Sequence, residues 1–204
     1  MSTLSANPPF GRPALLRWAG SEFDRAVEMG LFGERRVELI DGQILEKPPM
    51  NSPHAQAVRL ATYALLIAFP PPATTISVQC PMELGESRPL PDLAVVVGTP
   101  REVSSHPTSA LLIVEVSDSM LEFDREDKAP LYAAYGIADY WIVNLVDRCV
   151  EVHGEPYRRA DGQFEYRQVK VVRAGETVSP LAAPNSALKV SDLLPTPEAS
   201  GGHI

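Results

Sequence analysis

Two carboxylates stand in stretches that are otherwise aliphatic. Glu115 interrupts Leu111-Leu112-Ile113-Val114-Glu115-Val116, and Asp92 opens Leu90-Pro91-Asp92-Leu93-Ala94-Val95-Val96-Val97. Runs this apolar and this rich in β-branched residues read as strands buried on both faces. A lone negative charge at such a position costs on the order of several kcal/mol unless a cation, a metal or a proton compensates it. Asp92 stands at the beginning of its run and Glu115 near the end of its own. Antiparallel neighbours would therefore bring both acids to one sheet edge. There they repel each other, and a divalent cation is the natural third party. Lys128, just inside the next helical stretch, has the reach to return to that edge. An ammonium beside two carboxylates and a metal can steady an attacking water or a phosphate oxygen.

The chemistry this set supports is metal-assisted hydrolysis. Asp92 and Glu115 are the predicted metal ligands, with the backbone carbonyl of Val116 as a further one. Hard oxygen donors favour Mg²⁺ or Mn²⁺, and the lack of a Cys/His cluster argues against zinc. Lys128 is the predicted catalytic cation.

The elements that must position these groups can be read in order. Ser21-Glu22-Phe23-Asp24 begins a short helix ending at Gly30. Asp41-Gly42 is a two-residue hairpin signal between two alternating strands within Arg36–Leu45. Alternation leaves Glu38, in the first of them, free to face either way. Ser52 as N-cap and Pro53 at the first helical position predict a helix to Phe69, stopped by three prolines. Its predicted core face is Ala57, Val58, Ala61, Leu65 and Ala68. Ile76–Met82 reads as a strand, followed by a turn at Gly85-Glu86-Ser87 and then by the Asp92 and Glu115 strands. Asp124–Tyr135 reads as a helix closed by Gly136, with Pro130 forcing its start to near Asp127. Asp139–Leu145 is another buried strand. Cys149–His153, Phe164–Val172 and Ala187–Val190 extend the sheet as half-exposed strands. The result is an α/β (α+β) fold: a mixed central sheet, flanking helices and an antiparallel C-terminal extension. The expected boundaries are a flexible arm over 1–13, one domain over 14–194 and a disordered tail over 195–204.

The 204 residues are 45% hydrophobic and 22% charged, ordinary for a globular domain with a real core. A formal charge of −8 excludes a protein that coats nucleic acid by bulk charge, while leaving room for a local basic groove. Cys80 and Cys149 match no metal spacing and read as free buried thiols in a reducing cytoplasm. The N-terminus shows no signal pattern. The longest apolar stretch, Leu60–Phe69, is half of the ~20 residues needed to cross a bilayer, so no membrane partner is expected.

Acid, acid and lysine at a sheet edge also make the nuclease core written PD-(D/E)XK. Pro91-Asp92 supplies its first half and Glu115-Val116-Ser117 its second, with serine in the usual lysine position and Lys128 as the displaced lysine. The chain resembles the Uma (second type) family of restriction endonucleases from about Val37 to Leu194. The resemblance rests on Glu38-Leu39-Ile40-Asp41-Gly42, Ser52-Pro53-His54, Pro91–Val95 and Val114–Ser119. It continues through Asp124-Arg125, Lys128, Leu131-Tyr132, Gly136-Ile137 and Tyr140–Val143. Asn144 departs from the Asp expected after that last run. The resemblance implies a restriction-endonuclease-like fold, Mg²⁺ or Mn²⁺ dependence and cleavage of phosphodiester bonds. It implies an active site of Asp92, Glu115 and Lys128, with Glu38 as the N-terminal acid.

DNA is the expected nucleic acid, and a homodimer the expected assembly, because cutting both strands of a duplex asks for two sites. His54, Arg59 and Arg125 are candidate phosphate contacts, although a helix-end histidine and exposed arginines more often serve only as caps and solvated charges. Asp124 reads as the cap of the lysine helix or a support for Lys128. Tyr132, Tyr135 and Tyr140-Trp141 read as core or dimer-interface aromatics. Two rival functions remain. One is a dimeric binding module that keeps the nuclease fold and cuts nothing. The other is a metal-free hydrolase using two carboxylates as acid and base, which 7% aromatic content and an idle Lys128 disfavour.

Overall fold

A computed structural model describes residues 14–196. Its centre is a six-stranded mixed sheet in the order β3-β4-β5-β6-β7-β8. The strands are β3 (Thr74–Val78), β4 (Leu93–Val97), β5 (Leu112–Ser117), β6 (Asp139–Asn144), β7 (Cys149–Arg158) and β8 (Phe164–Arg173). All neighbours are antiparallel except β5 and β6. That parallel pair needs a crossover, and the crossover carries Lys128. The fold is α/β, a mixed central sheet flanked by helices, as the sequence predicts, and β7 and β8 form the antiparallel extension.

Every residue of β5 is buried, so the aliphatic run is covered on both faces. Leu112, Val114 and Val116 face helix α2 (Ser52–Ala68) in one core, together with Leu93 and Val95 of β4. Ile113 and Ala94 face the other core, which holds Ala129, Leu131 and Tyr132 of the crossover. With a side-chain period of two, Glu115 shares the face of Ile113, and Asp92 that of Ala94. The β4–β5 register pairs Leu93 with Val114. The next pair outward is therefore Asp92 opposite Glu115.

Helix α2 buries the predicted face, with Ala64 added. Its cap differs from the prediction. Asn51, not Ser52, has the extended backbone and accepts the His54 N–H at 2.9 Å, so the helix starts at Ser52, one residue earlier than predicted. Helix α1 (Gly20–Glu28) precedes a hairpin of β1 (Val37–Ile40) and β2 (Gln43–Glu46). Asp41 and Gly42, both at positive φ, make its turn. The hairpin docks through Leu39, which exchanges two backbone hydrogen bonds with Arg88.

Several boundaries move for local reasons. β3 ends at Val78 rather than Met82, because Gln79 takes φ 51° and gives its N–H to the Asp92 carbonyl. β7 runs past His153 to Arg158. Beyond Gly154 it pairs only with β8, so Pro156 can sit where a missing N–H costs no ladder bond.

The crossover begins at Leu121, earlier than predicted: α3 (Leu121–Phe123), a π-helical turn (Asp124–Lys128) and α4 (Ala129–Ala134). The π turn closes with Ala129 N–H on the Asp124 carbonyl, which also accepts the Tyr140 hydroxyl at 3.0 Å. Pro130, lacking an N–H, follows directly and sits in the first turn of α4.

A short pair, β9 (Thr177–Val178) with β10 (Leu188–Lys189), closes over the α2 core. Pro195, assigned to the tail from sequence, is buried and accepts a bond from Arg148 at 2.9 Å. The predicted arm over 1–13 and the tail from 197 onward lie outside the described residues. Cys149 is buried as predicted, whereas Cys80 is exposed because the strand expected to hold it stops before it. Among the described residues no helix is long and apolar enough to cross a membrane.

Candidate active site

At the end of β5 next to β4, four carboxylates and two lysines meet a cavity of about 210 Å³. Asp92, Glu115, Glu38 and Lys128 are each no more than 2% exposed. The two strand acids interlock. Asp92 N–H points to Glu115 Oε2 at 3.3 Å, and Val116 N–H donates to Asp92 Oδ2 at 3.0 Å. Antiparallel pairing thus brings the acids together as the sequence predicts.

Glu115 divides its oxygens. Oε1 accepts from Lys128 Nζ and from the Tyr132 hydroxyl, both at 2.8 Å. Oε2 turns toward Asp92 and stands 3.9 Å from Lys47 Nζ. Asp92 Oδ1 is 3.8 Å from the same Lys47 ammonium, and its Oδ2 is 3.3 Å from His54 Nε2. Lys47 follows β2 and anchors its Nζ on the Leu90 carbonyl at 2.7 Å.

Lys128 reaches the sheet edge from the π turn. Glu38 Oε2 lies 3.4 Å from its Nζ and Asp124 Oδ1 3.8 Å. Glu38 therefore faces inward, and its Oε2 also accepts the Leu90 N–H at 3.0 Å. Asp124 stands beside Lys128 and is not the N-cap of the turn that carries it, a position taken by Phe123. In a π turn, residues four apart lie nearly one above the other. Asp124 and Lys128 therefore both point into the protein, and both are buried.

The charges respond to this crowding. Burial pushes the Asp92 carboxyl up, but the His54 hydrogen bond, the Lys47 and His54 charges and the Val116 N–H outweigh it. Asp92 ends well below the usual carboxylate range. Burial lowers the His54 imidazole, and its bond and attraction to Asp92 more than restore it, leaving it raised. Burial, then the Glu115 charge, push Asp124 up to about 7 against the pull of Lys128. Burial works against the Lys128 ammonium, yet Glu115, Glu38 and Asp124 raise it above its ordinary value.

The donors suit a small hard cation. Asp92 Oδ1 and Glu115 Oε2 lie 3.8 and 3.9 Å from one point, the Lys47 ammonium, and the six carboxylates that line the cavity outnumber Lys47, Lys128, Arg36 and His54. Mg²⁺ is commonly held by one or two carboxylates with waters and substrate phosphate completing its shell. Among the described residues no three His, Cys, Asp or Glu side chains form a ready-made cage. Val116 lines the cavity beside the acids.

A family profile described as "Uma2: Putative restriction endonuclease" matches residues 22–191. The chain belongs to the Uma2 family. A crystal structure described as that of a putative nuclease belonging to DUF820 from Anabaena variabilis ATCC 29413 is similar in fold. The TM-score is 0.66 and the identity 18%, over 86% of this chain and 97% of that one. A comparison with curated proteins returns no match. Uma2 membership makes the chain nuclease-like, of the restriction-endonuclease class.

In this Uma2 chain the other predicted contacts separate. His54 lies at the cavity, held to Asp92. Arg59 is exposed on the outer side of α2 and does not line the cavity. Arg125 leaves the site and forms a two-pronged pair with Glu151 at 2.5 and 2.9 Å. Its neighbours Asp124 and Lys128 turn inward, which directs Arg125 the other way.

Three functional residues escape sequence reasoning. Lys47 and Arg36 both line the cavity. The hairpin register, which pairs Val37 with Glu46, puts them opposite each other one step further out. Arg36 Nη2 is buried without a hydrogen-bond partner among the described residues. Tyr132, read as a core aromatic, holds Glu115 through its hydroxyl. The available signal was the hairpin itself: alternation from an inward Glu38 sends Arg36 the same way.

Proposed function

We propose that this protein is a Mg²⁺- or Mn²⁺-dependent endonuclease that hydrolyses phosphodiester bonds of nucleic acid, with DNA as substrate. The single observation that supports this reading is the division of oxygens at the sheet edge. Each strand acid binds the protein frame closely through one oxygen, at 2.8–3.0 Å, and turns the other, held only at 3.3 Å, toward a common cationic point. Asp92 and Glu115 would hold the cation, with the Val116 carbonyl as a further ligand. A divalent ion so held lowers the pKa of a bound water and offsets negative charge on the phosphate.

The chain's own residues orient that site. Lys128 and Tyr132 fix the Glu115 carboxylate by its inner oxygen. Glu38 spans Lys128 and the Leu90 peptide, which sets the loop entering Asp92. Lys128 is the displaced lysine of the PD-(D/E)XK pattern. Asp124 stands off its ammonium at 3.8 Å, so one N–H remains for an attacking water or a phosphate oxygen. His54 backs Asp92 and borders the path of the substrate, and Arg36 offers a free N–H to a phosphate. A homodimer would present two such sites to the two strands of a duplex.

The experiment is cleavage of duplex DNA with Mg²⁺ or Mn²⁺ by the full chain, by Asp92→Asn and by Glu115→Gln, with sedimentation giving the assembly state. Metal-dependent cutting lost in both variants supports the reading. Equal cutting by all three proteins removes it. A second reading, a nuclease fold that binds and cuts nothing, is favoured by one feature: Lys47 already stands beside both acids. DNA binding without turnover under either metal would select it.

A further inference from the structure

Lys47 stands where the chemistry would put something else. Its ammonium is 3.8 Å from Asp92 Oδ1 and 3.9 Å from Glu115 Oε2, two oxygens that otherwise accept only at 3.3 Å, from Gln79 Nε2 and from the Asp92 N–H. It is not there by chance of a loose surface chain. The side chain is only 14% exposed, and Nζ is tied to the Leu90 carbonyl at 2.7 Å. The Leu90 peptide is itself held from its N–H side by Glu38 at 3.0 Å. The end of the hairpin is fixed too, by Lys47 N–H on the Arg36 carbonyl at 2.8 Å.

We propose that Lys47 is a built-in counter-cation of the Asp92–Glu115 pair and competes with a divalent ion for it. This rests on the cation site proposed above. Two carboxylates side by side in a buried edge repel each other unless a positive charge stands between them. Lys128 cannot fill that role alone, since it lies on the inner oxygen of Glu115 and bonds to no oxygen of Asp92. Among the described residues, Lys47 is the one cation that approaches the outer oxygens of both. A dication ligated by those oxygens comes within a few ångströms of the ammonium, in surroundings where like charges are poorly screened. The ammonium must then either withdraw along its flexible stem or weaken the binding. The site would thus remain folded at low metal and load only when the ion is abundant or when a phosphate arrives to share the positive charge. The cavity opening beside Lys47 gives the stem room to move.

The test is calorimetric titration of the full, chelator-treated chain with MnCl₂, beside Lys47→Gln and Lys47→Arg, with thermal melting of each protein before and after the metal is added. Glutamine keeps an N–H donor for the Leu90 carbonyl and removes the charge, whereas arginine keeps the charge. Lys47→Gln should bind Mn²⁺ at least about ten-fold more tightly than wild type. It should melt lower than wild type without metal and recover when Mn²⁺ is added. Lys47→Arg should bind as wild type does. Affinity of Lys47→Gln equal to or below wild type overturns the competition and leaves the cation site standing. Absence of Mn²⁺ binding by every protein overturns the cation site and the competition with it.

Discussion

The Lys128 ammonium lies 2.8 Å from Glu115 Oε1, and each side chain is only 2% exposed. An ion pair this deep is stable only because the rest of its lone pairs and protons are also engaged. Tyr132 takes the same oxygen, Glu38 flanks the ammonium, and the Glu115 oxygen on the far side is left toward Asp92. The pair therefore orients Glu115 without cancelling it.

Removing the ammonium strands three carboxylates in a closed interior. Lys128→Met should lose about 3–5 kcal/mol of stability, the range for breaking a buried pair from one side. Glu115→Gln should lose less, because its amide oxygen still accepts from Lys128 and Tyr132. Urea melts of the three proteins check the order. A Lys128→Met midpoint matching wild type would show that the pair has no structural role.

Asp92 carries a different load. Its carboxylate is held low by His54, Lys47 and the Val116 N–H against the upward push of burial, so it carries its charge at neutral pH. Asp92→Asn keeps the shape and drops the charge. Cleavage should fall on the order of 10²–10³-fold or more, in line with losing a preorganised electrostatic group, and the melting temperature should fall as well, because a carboxyl held low stabilises the fold in its charged form. Single-turnover rates beside thermal melts separate the two effects, and a rate within a factor of a few of wild type would refute the assignment.

The arginines divide into one that faces the cavity and two that do not. Arg36→Ala should weaken DNA binding and lower the slope of log affinity against log salt by about one unit, the signature of one lost phosphate contact. Arg59→Ala should leave that slope alone. Arg125→Ala should also leave it alone while costing up to about 1 kcal/mol of stability, since its pair with Glu151 is partly exposed. Salt titrations of binding decide, and a reduced slope in Arg125→Ala instead would return that residue to the substrate path.

His153 supplies a pH dependence away from the site. It packs between Tyr140 and Tyr166, and its Nε2 makes no hydrogen bond among the described residues, standing 3.9 Å from Glu151 Oε2. Burial pushes its imidazole down to about 4 from the ordinary 6.5, with the Glu151 charge opposing and the Arg125 charge adding. The unfolded chain therefore takes up this proton before the folded one does. The stabilising effect is whole above pH 6.5 and declines as pH falls toward 4, by about 1.4 kcal/mol per unit. His153→Phe keeps the ring and removes the proton site, so its urea midpoint should vary less than that of wild type across this window. Parallel curves would show that His153 does not titrate this way.

What the sequence by itself determined is local. The aliphatic runs around Asp92 and Glu115 could only be buried strands, and Asp41-Gly42 only a tight hairpin. The three prolines after Phe69 had to end a helix. Even the meeting of the two acids was legible, because their opposite places in two neighbouring runs bring them together once the strands are antiparallel. The tertiary structure decided which charges answer them. Whether Glu38 faces in or out depends on the docking of the hairpin against Arg88, a contact nearly fifty residues away in sequence. Lys47 and Arg36 follow from the same docking. The π turn, which aims Asp124 and Lys128 inward and sends Arg125 to Glu151, depends on the Tyr140 hydroxyl reaching the Asp124 carbonyl from β6. Side-chain period and turn chemistry act over a few residues and leave a trace in the sequence. The partner of a buried charge is chosen by packing between distant segments, and only the folded chain brings those together.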